Sequence, residues 1–290
     1  MRKKLPKIFI GLIFIIGLGI MLYPIISNLY IEHHQGNIID EYNKTVESMP
    51  DDTLEKEREK AEGYNKMLTG NMIITDPFDP EAQKKLEENS DYYNILNIGN
   101  DNIIGYIKIP KINVSLPIYH GTSEEVLKRG VGHLQNTSFP IGGESTHAVL
   151  SGHTGLSSAK LFTDLDKLEE GELFFIEVLG EKLAYKIDQI KIVEPRETSD
   201  LVIKSGEDYV TLVTCTPYGI NSHRLLVRGT RIPYTEEVEK EAKNEENSKV
   251  KSTWRDEYFK ALAVGLGGLS VLGVIFIIIV LIKKKGRRKK

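Results

Sequence analysis

Two long uncharged apolar runs, one near each end of the chain, constrain this sequence most. They occupy residues 8–26 and 261–282, which is 19 and 22 residues. As helices they would reach roughly 28 and 33 Å, against a hydrocarbon core of about 30 Å. Because backbone polar groups in lipid must be paired within the segment, both runs are predicted to be transmembrane helices. A cleaved signal peptide is the alternative for the first run, but the run is long for such a peptide and no small-residue cleavage site comes cleanly after it.

Basic residues flank both apolar runs on the side of the chain ends. The first seven residues carry four basic side chains and the last eight carry seven, without an acidic residue in either segment. Positive flanks stay cytoplasmic, so two spans predict two cytoplasmic termini and one extracellular domain at residues of roughly 30–257. The formal net charge of the chain is −3, and its two ends carry +11, so the stretch between them carries −14. An acidic external domain between basic cytoplasmic ends agrees with this two-pass topology.

The first part of the external region is predicted to be helical. Apolar residues fall at helical spacing between residues 32 and 68, with a break at residues 50–53. These helices either pack on the rest of the external domain or form a charged stalk, and the packed arrangement is slightly favoured. Residues 75–80 contain two prolines, which favour a stiff irregular segment, and Asp79 before Pro80 can cap a short helix.

After residue 100 the pattern changes to that of short β-strands. Gly180 and Glu181 mark a hairpin, and short helices fit residues 123–128 and 158–163. Seven or eight short strands at this spacing predict a closed barrel or a sandwich, so the fold class is mainly β with accessory helices. The predicted strands lie at residues 103–109, 114–119, 148–150, 173–178, 183–193, 209–214 and 224–232.

One cysteine, one histidine and one arginine are predicted to meet where strands end. Cys215 comes directly after a strand and has no disulfide partner in the chain, so it is either an inert thiol or a nucleophile. His153 also lies at the end of a strand, beside two glycines, and can serve as the base or cation that a thiol requires. Arg224 begins the next strand, keeps its charge, and can hold a substrate carbonyl or an oxyanion.

The remaining histidines do not predict a metal site. His147 and His153 are close in sequence, but strand alternation and the lack of a nearby carboxylate trio disfavour metal ligation. We therefore expect no metal and no cofactor. The other histidines are interpreted as interfacial, surface or core residues: His33, His34, His120, His133, His147 and His223.

Two sequence motifs resemble those of a known family. Residues 211–229 (TLVTCTPYGINSHRLLVRG) closely resemble the active-site signature of the sortases, specifically of class C, the pilin-polymerising group. Residues 132–134 (GHL), 151–156 (SGHTGL) and 158–162 (SAKLF) resemble the histidine region of the same group. Thr154 departs from it, because arginine more often comes after this histidine. The resemblance spans most of residues 30–235 and includes both membrane segments.

The resemblance implies a closed sortase-type β-barrel that acts as a transpeptidase outside a Gram-positive cell. It implies that Cys215 attacks the Thr–Gly carbonyl of a Leu-Pro-x-Thr-Gly-like sorting signal and forms a thioester. It further implies that His153 protonates the leaving amine and later deprotonates the incoming one, while Arg224 orients the substrate and stabilises the oxyanion. The acceptor would be a lysine amine of a second pilin subunit, so the partners are pilins and membrane lipid, with no nucleic acid.

Asp76, Pro77 and Phe78 resemble the lid of the class C group. There the acid pairs with the catalytic arginine and the aromatic ring covers the cysteine. From the residues alone, Asp76 and Pro77 indicate only a turn before a helix. The resemblance therefore predicts a lid at residues 75–80, in which Asp76 pairs with Arg224 and Phe78 contacts sulfur.

The predicted organisation has six segments. They are a basic end with the first transmembrane helix (1–29), helices with the lid (30–99), the catalytic barrel (100–235), a charged linker (236–260), the second transmembrane helix (261–282) and a basic tail (283–290). Three other functions stay open. They are a housekeeping sortase that attaches proteins to the cell wall, a membrane-anchored cysteine protease and a non-enzymatic surface scaffold.

Overall fold

Eight β-strands close into a barrel in the computed structural model, which describes residues 5–68, 73–86, 90–99, 101–156, 159–245 and 252–287. The chain falls into two units, Leu22–Val250 and a second unit formed by its two ends. The strands are β1 (Ile103–Ile109), β2 (Val114–His120), β3 (Val131–His133), β4 (Thr146–Ser151), β5 (Leu173–Val178), β6 (Glu181–Val193), β7 (Asp208–Thr216) and β8 (His223–Ile232).

The strand order around the barrel is β1-β2-β3-β4-β7-β8-β6-β5, and β5 pairs with β1 to close it. The β2–β3 and β4–β7 pairs are parallel, whereas the other pairs are antiparallel. Closure confirms the barrel over the sandwich, and it leaves no open sheet edge. Fully buried aliphatic side chains from opposite sides of the barrel fill its interior, including Ile107, Ile118, Leu150, Leu212 and Val227.

Seven α-helices accompany the barrel among the described residues. They are α1 (Leu5–Ser48), α2 (Asp51–Met67), α3 (Pro80–Leu86), α4 (Ser90–Tyr93), α5 (Glu124–Arg129), α6 (Glu236–Glu245) and α7 (Thr253–Arg287). Short 3₁₀ turns lie at Pro110–Ile112, Leu165–Lys167 and Ser199–Leu201. The helix predicted at residues 123–128 is present as α5. The one predicted at 158–163 is wrong for residues 159–163, which form turns, because Leu161 has a positive φ of 42°.

One membrane span is supported by the described residues, near the N-terminus. The part of α1 at Ile15–Ser48 is long and apolar enough to cross a membrane. The second predicted span lies within α7, many of whose side chains fall outside the described set, so it stays a prediction. Residues 236–245, inside the predicted linker, form helix α6. Its Val238 and Ala242, one helical turn apart, pack against Phe175 and Ala184 of the barrel.

The N-terminal helices pack on the barrel and do not form a free stalk. Tyr42 of α1 is buried, donates to the carbonyl of Ile104 at 2.9 Å and accepts from the amide of Leu179 at 3.0 Å. Asn65 of α2 pairs with the backbone of Phe139 in both directions, at 3.2 and 2.7 Å. Asn65 thus gives the Phe139 amide an acceptor, and it adds a second donor to the Phe139 carbonyl, which also accepts from the Ile141 amide at 2.8 Å.

Removing the Asn65 side chain, which holds α2 on the barrel, should destabilise the fold. Asn65→Ala leaves the N–H of Phe139 without a partner in a buried setting, while the Phe139 carbonyl keeps its bond from the Ile141 amide, so the change costs about 1–3 kcal/mol of unfolding free energy. Urea denaturation of the full chain in detergent measures the loss. Lys66→Ala is the control, because Lys66 makes an exposed pair with Glu62 and should cost under about 1 kcal/mol. Equal urea midpoints for the two variants would contradict a stabilising role of Asn65.

Candidate active site

Cys215 and Arg224 lie directly opposite each other on neighbouring strands. Cys215 on β7 pairs with Arg224 on β8 in the antiparallel register, and a loop of residues 217–222 joins the two strands. Directly opposed residues on one face have Cβ atoms about 4.5–5.5 Å apart. The cysteine is half-buried, and Arg224 is 9% exposed. The strand pairing therefore brings the thiol beside a guanidinium.

His153 reaches the same end of the barrel through the parallel β4–β7 pair. Ser151 at the end of β4 pairs with Val213, and the amide of Gly152 donates to the Val213 carbonyl at 3.1 Å. The Thr214 hydroxyl donates to the Gly152 carbonyl at 2.7 Å. These contacts fix the residue before His153 next to β7, the strand that carries Cys215 near its end.

The loop after His153 folds back onto it. The amide of Phe162 donates to the His153 carbonyl at 3.1 Å, and the Gly155 amide donates to the Thr163 hydroxyl at 3.2 Å. A Cβ at position 152 would lie 2.7 Å from the Phe162 ring. Glycine at position 152 is therefore required by the close approach of that ring.

Asp76 pairs with Arg224 in a two-pronged ion pair. Arg224 Nε donates to Asp76 Oδ1 at 2.9 Å, and Nη2 donates to Oδ2 at 2.6 Å. Arg224 Nη1 donates to the carbonyls of Asn221 and His223 at 3.3 and 3.1 Å. Because both side chains are nearly buried, at 11% and 12% exposure, water screens this pair little.

Phe78 lies between the arginine and the histidine. Its ring centroid is 5.1 Å from Arg224 Cζ and 5.7 Å from the centroid of the His153 ring. The ring also packs on a cluster of apolar residues that includes Leu134 and Val213. The Phe78 amide donates to Asp76 Oδ1 at 3.2 Å across Pro77, so one turn presents both the acid and the ring.

Helix α3 holds this turn in place. The Asp79 carboxylate accepts from the amides of Glu81 and Ala82 at 3.0 and 3.2 Å, which is the helix cap that the sequence predicted. The buried Gln83 donates to the Thr75 hydroxyl at 3.3 Å and to the Asp76 carbonyl at 3.1 Å. Sequence reasoning missed Gln83 and Thr214. The one available signal for Gln83 was its position four residues after the capping Asp79.

Burial raises the pKa of the Cys215 thiol. The charge of Arg224 lowers that pKa and the charge of Asp76 raises it. The Asp76 carboxylate therefore offsets part of the stabilisation that the guanidinium gives to the thiolate. Burial has the opposite effect on His153, whose pKa it lowers because the charged form of an imidazole is the cation. The charge of Glu124 raises this pKa and that of Lys128 lowers it. With the Asp76–Arg224 pair in place, these shifts favour a neutral thiol and a neutral imidazole.

Three other barrel histidines, His120, His133 and His147, are buried and have hydrogen-bond partners, whereas His223 at the start of β8 is exposed. His133 Nε2 donates to the Ser138 carbonyl at 2.8 Å, and its Nδ1 lies 2.8 Å from the Tyr92 hydroxyl. His147 lies 3.0 Å from the Val202 carbonyl. Burial lowers the pKa of His133 to about 3 and that of His147 to about 4. Within the described ranges, no group of three His, Cys, Asp or Glu residues could hold a metal ion.

Comparisons with known proteins converge on one family. A sortase domain model matches residues 107–232. Sortase D of Bacillus subtilis (strain 168) is 27% identical over 217 residues, which cover 73% of this chain and 98% of that protein. The crystal structure of sortase C-1 from Streptococcus pneumoniae is 46% identical with a TM-score of 0.64, over 69% of this chain and 100% of that one. Sortase C1 of GBS pilus island 1 is 46% identical with a TM-score of 0.61, over 70% and 94%.

Neutralising Asp76 should lower the pKa of Cys215. Asp76→Asn removes the carboxylate charge that raises this pKa and leaves the charge of Arg224, which lowers it. The midpoint of the rate–pH curve for alkylation of Cys215 by iodoacetamide should move to lower pH. Asp79→Asn is the matched control, because asparagine caps a helix as well as aspartate does. The same midpoint in both variants would refute the electrostatic role of Asp76.

Proposed function

Because the chain belongs to the sortase family of cysteine transpeptidases, within class C, we propose that it joins pilin subunits into covalent pili. The observation that carries the proposal is the in-register pairing of Cys215 with Arg224 beneath Asp76 and Phe78. The donor substrate is a pilin with a Leu-Pro-x-Thr-Gly-like sorting signal. The acceptor is a lysine amine of a second pilin.

The first half of the proposed reaction forms a thioester. Once the lid opens, His153 takes the proton of the Cys215 thiol, and the resulting thiolate attacks the threonine carbonyl carbon of the Thr–Gly bond, whose oxygen takes up the negative charge. Guanidinium donors of Arg224 orient that carbonyl and stabilise the oxyanion. As the intermediate collapses, the C–N bond breaks and His153 gives a proton to the leaving glycine amine.

The second half transfers the acyl group to lysine. The ε-amine attacks the thioester carbonyl, His153 takes a proton from it, and the Cys215 thiolate leaves as the isopeptide bond forms. Water could attack the same thioester, so polymerisation requires that the site hold the amine in a reactive position. A transpeptidase and a protease on this scaffold therefore differ in the acceptor, while the nucleophile is the same.

The lid is proposed to be a gate that competes with the substrate for Arg224. In this structure Asp76 accepts from Nε and Nη2 of Arg224, two donors that could face a substrate carbonyl. Each charge-assisted hydrogen bond contributes about 1.5–3 kcal/mol, so opening without a substrate is unfavourable. The Asp76–Phe78 turn would have to move before a sorting signal could reach Cys215.

The catalytic domain is proposed to lie outside the cell membrane. Helix α1 supplies one anchor, and the apolar run inside α7 is proposed as the second. The basic residues at both chain ends then favour two cytoplasmic termini. This topology would place the barrel on the side of the membrane where pili are built.

Removing the lid's ring should expose the thiol. Phe78→Ala deletes the side chain that packs between Arg224 and His153, so the maximal alkylation rate of Cys215 at high pH should rise about tenfold. Because the thiol is fully ionised there, this limiting rate reports access alone. Ile73→Ala is the control, since Ile73 lies in the same segment with its side chain 77% exposed. A limiting rate equal to that of the control would argue against an occluding lid.

The transpeptidase proposal is tested by its product. The full chain in detergent is incubated with a sorting-signal peptide and a purified pilin, and mass spectrometry monitors the thioester on Cys215 and the isopeptide. Cys215→Ala should abolish both. Arg224→Lys keeps the charge but loses the planar fork, so we expect a loss of about 10²–10³-fold.

Arg228→Lys is the matched control for Arg224→Lys. Arg228 lies on the same strand and makes an equivalent two-pronged pair, with Asp188 at 3.1 and 2.7 Å, but the observed lid does not contact it. The Arg228→Lys variant should therefore retain transpeptidase activity. Hydrolysis without isopeptide would favour a protease, and transfer only to cell-wall precursors would favour a housekeeping sortase. The absence of any product, together with a cellular function that survives Cys215→Ala, would favour the scaffold.

A further inference from the structure

We propose that Asn28 and Gln35 of α1 are positioning residues for His153, so that the helix extending from the first apolar run is part of the catalytic apparatus. This inference rests on the proposed role of His153. Neither residue is assigned a role by the sequence motifs. Asn28 lies only two residues beyond the apolar run at residues 8–26.

Three polar side chains form one stripe along α1. Asn28, Gln35 and Tyr42 are spaced by seven residues, about two helical turns, so they share a face. Asn28 Oδ1 accepts from the Lys160 amide at 2.9 Å, and Gln35 Nε2 donates to the Arg129 carbonyl at 3.0 Å. Each member of the stripe thus bonds to backbone outside α1: Tyr42 to the barrel, as shown above, Asn28 to the loop after β4, and Gln35 to α5.

The Asn28 contact leads to the histidine loop, which we define as residues 153–156 and 159–165. Lys160 Nζ pairs with Asp164 at 3.0 Å and bonds to the carbonyl of Ile112, and Asp164 is only 1% exposed. Between these two residues lies Phe162, whose amide bonds to the His153 carbonyl. A shift at Asn28 is therefore transmitted over a short, hydrogen-bonded path to the backbone of His153.

The Gln35 contact leads to His153 from another side. Gln35 is 3% exposed and bonds to the last residue of α5, the helix that carries the charged pair Glu124 and Lys128. These two groups act electrostatically on His153 in opposite directions. Leu127 of α5 packs closely on Gly132 of β3, since a Cβ at that position would lie 3.2 Å from Leu127. Gly132 pairs with Ser151, which lies two residues before His153, so α5 also contacts the strand pair that leads to His153.

The two contacts therefore support His153 from the histidine loop and from α5. No hydrogen bond or ring contact described for Asn28 or Gln35 involves Cys215 or Arg224, so the two residues act through others. Loosening the histidine loop should admit water to His153 and raise its pKa towards the ordinary value, since burial is what lowers it. The effect should fall on proton transfer, while binding of the sorting signal changes little.

The test uses the full chain in lipid nanodiscs with a sorting-signal peptide and a small amine acceptor. Asn28→Ala should lower kcat about tenfold, change KM less than twofold, and move the His153 limb of the pH–kcat profile to higher pH. Hydrogen exchange at the Lys160 amide should become faster. Because Asn28 Nδ2 also donates to Glu32 at 2.8 Å, the rescue is the double variant Asn28→Asp/Glu32→Gln, which keeps an oxygen that can accept from the Lys160 amide and avoids two adjacent carboxylates; it should restore kcat and the profile.

Two further variants keep the outcome interpretable. Asn37→Ala is the matched control, because Asn37 is exposed on α1 and its hydrogen bond at 3.4 Å is to His33 within the same helix. If Asn28→Ala fails to fold, Gln35→Met removes the α5 contact at nearly constant volume and should move the same pH limb. A folded Asn28→Ala protein with faster Lys160 exchange but an unchanged kcat and pH profile would overturn the inference. Wild-type activity that survives Cys215→Ala would instead overturn the proposed function.

Discussion

The register between β7 and β8 is the constraint on which the candidate site depends. Side chains alternate between the two faces of a strand, so a slip of one residue would replace Arg224 opposite Cys215 with a neighbour that points the other way. The barrel prevents such a slip because Leu212 and Val227, which pair in the same ladder, are both fully buried in its core. The hydrophobic core and the chemistry are thus fixed by a single alignment.

The parallel β4–β7 pair extends the same alignment to the histidine. Two strands that run in the same direction end at the same edge of the sheet, so the residues after Ser151 and Val213 emerge together. The Thr214 hydroxyl then holds the Gly152 carbonyl. Cys215, His153 and Arg224, the proposed catalytic residues, lie at one end of the barrel because β7 has an antiparallel neighbour on one side and a parallel neighbour on the other.

Much of this arrangement could be predicted from the sequence, because it depends on local patterns. Alternation revealed most strands, and Cys215, His153 and Arg224 stood out as reactive residue types at strand ends. The three-residue strand β3 was too short to show a period. Helix α6 was hidden because only Val238 and Ala242 interrupt a charged segment. Asn65 and Gln83 could not be foreseen, since their roles depend on contacts between distant segments or on loop geometry.

The Asp76–Arg224 pair is better understood as a switch than as a source of stability. Removing two charges from water costs energy that offsets most of their attraction, so apolar residues of similar size could stabilise the closed lid equally well. An apolar lid, however, would leave Nε and Nη2 of Arg224 without the acceptors that Asp76 gives them when the lid is closed. In the proposed mechanism, the Asp76 carboxylate accepts from these two donors until a carbonyl oxygen of the substrate takes its place as the acceptor. The same exchange removes a negative charge beside Cys215, so opening the gate and activating the thiol become one event in the proposed mechanism.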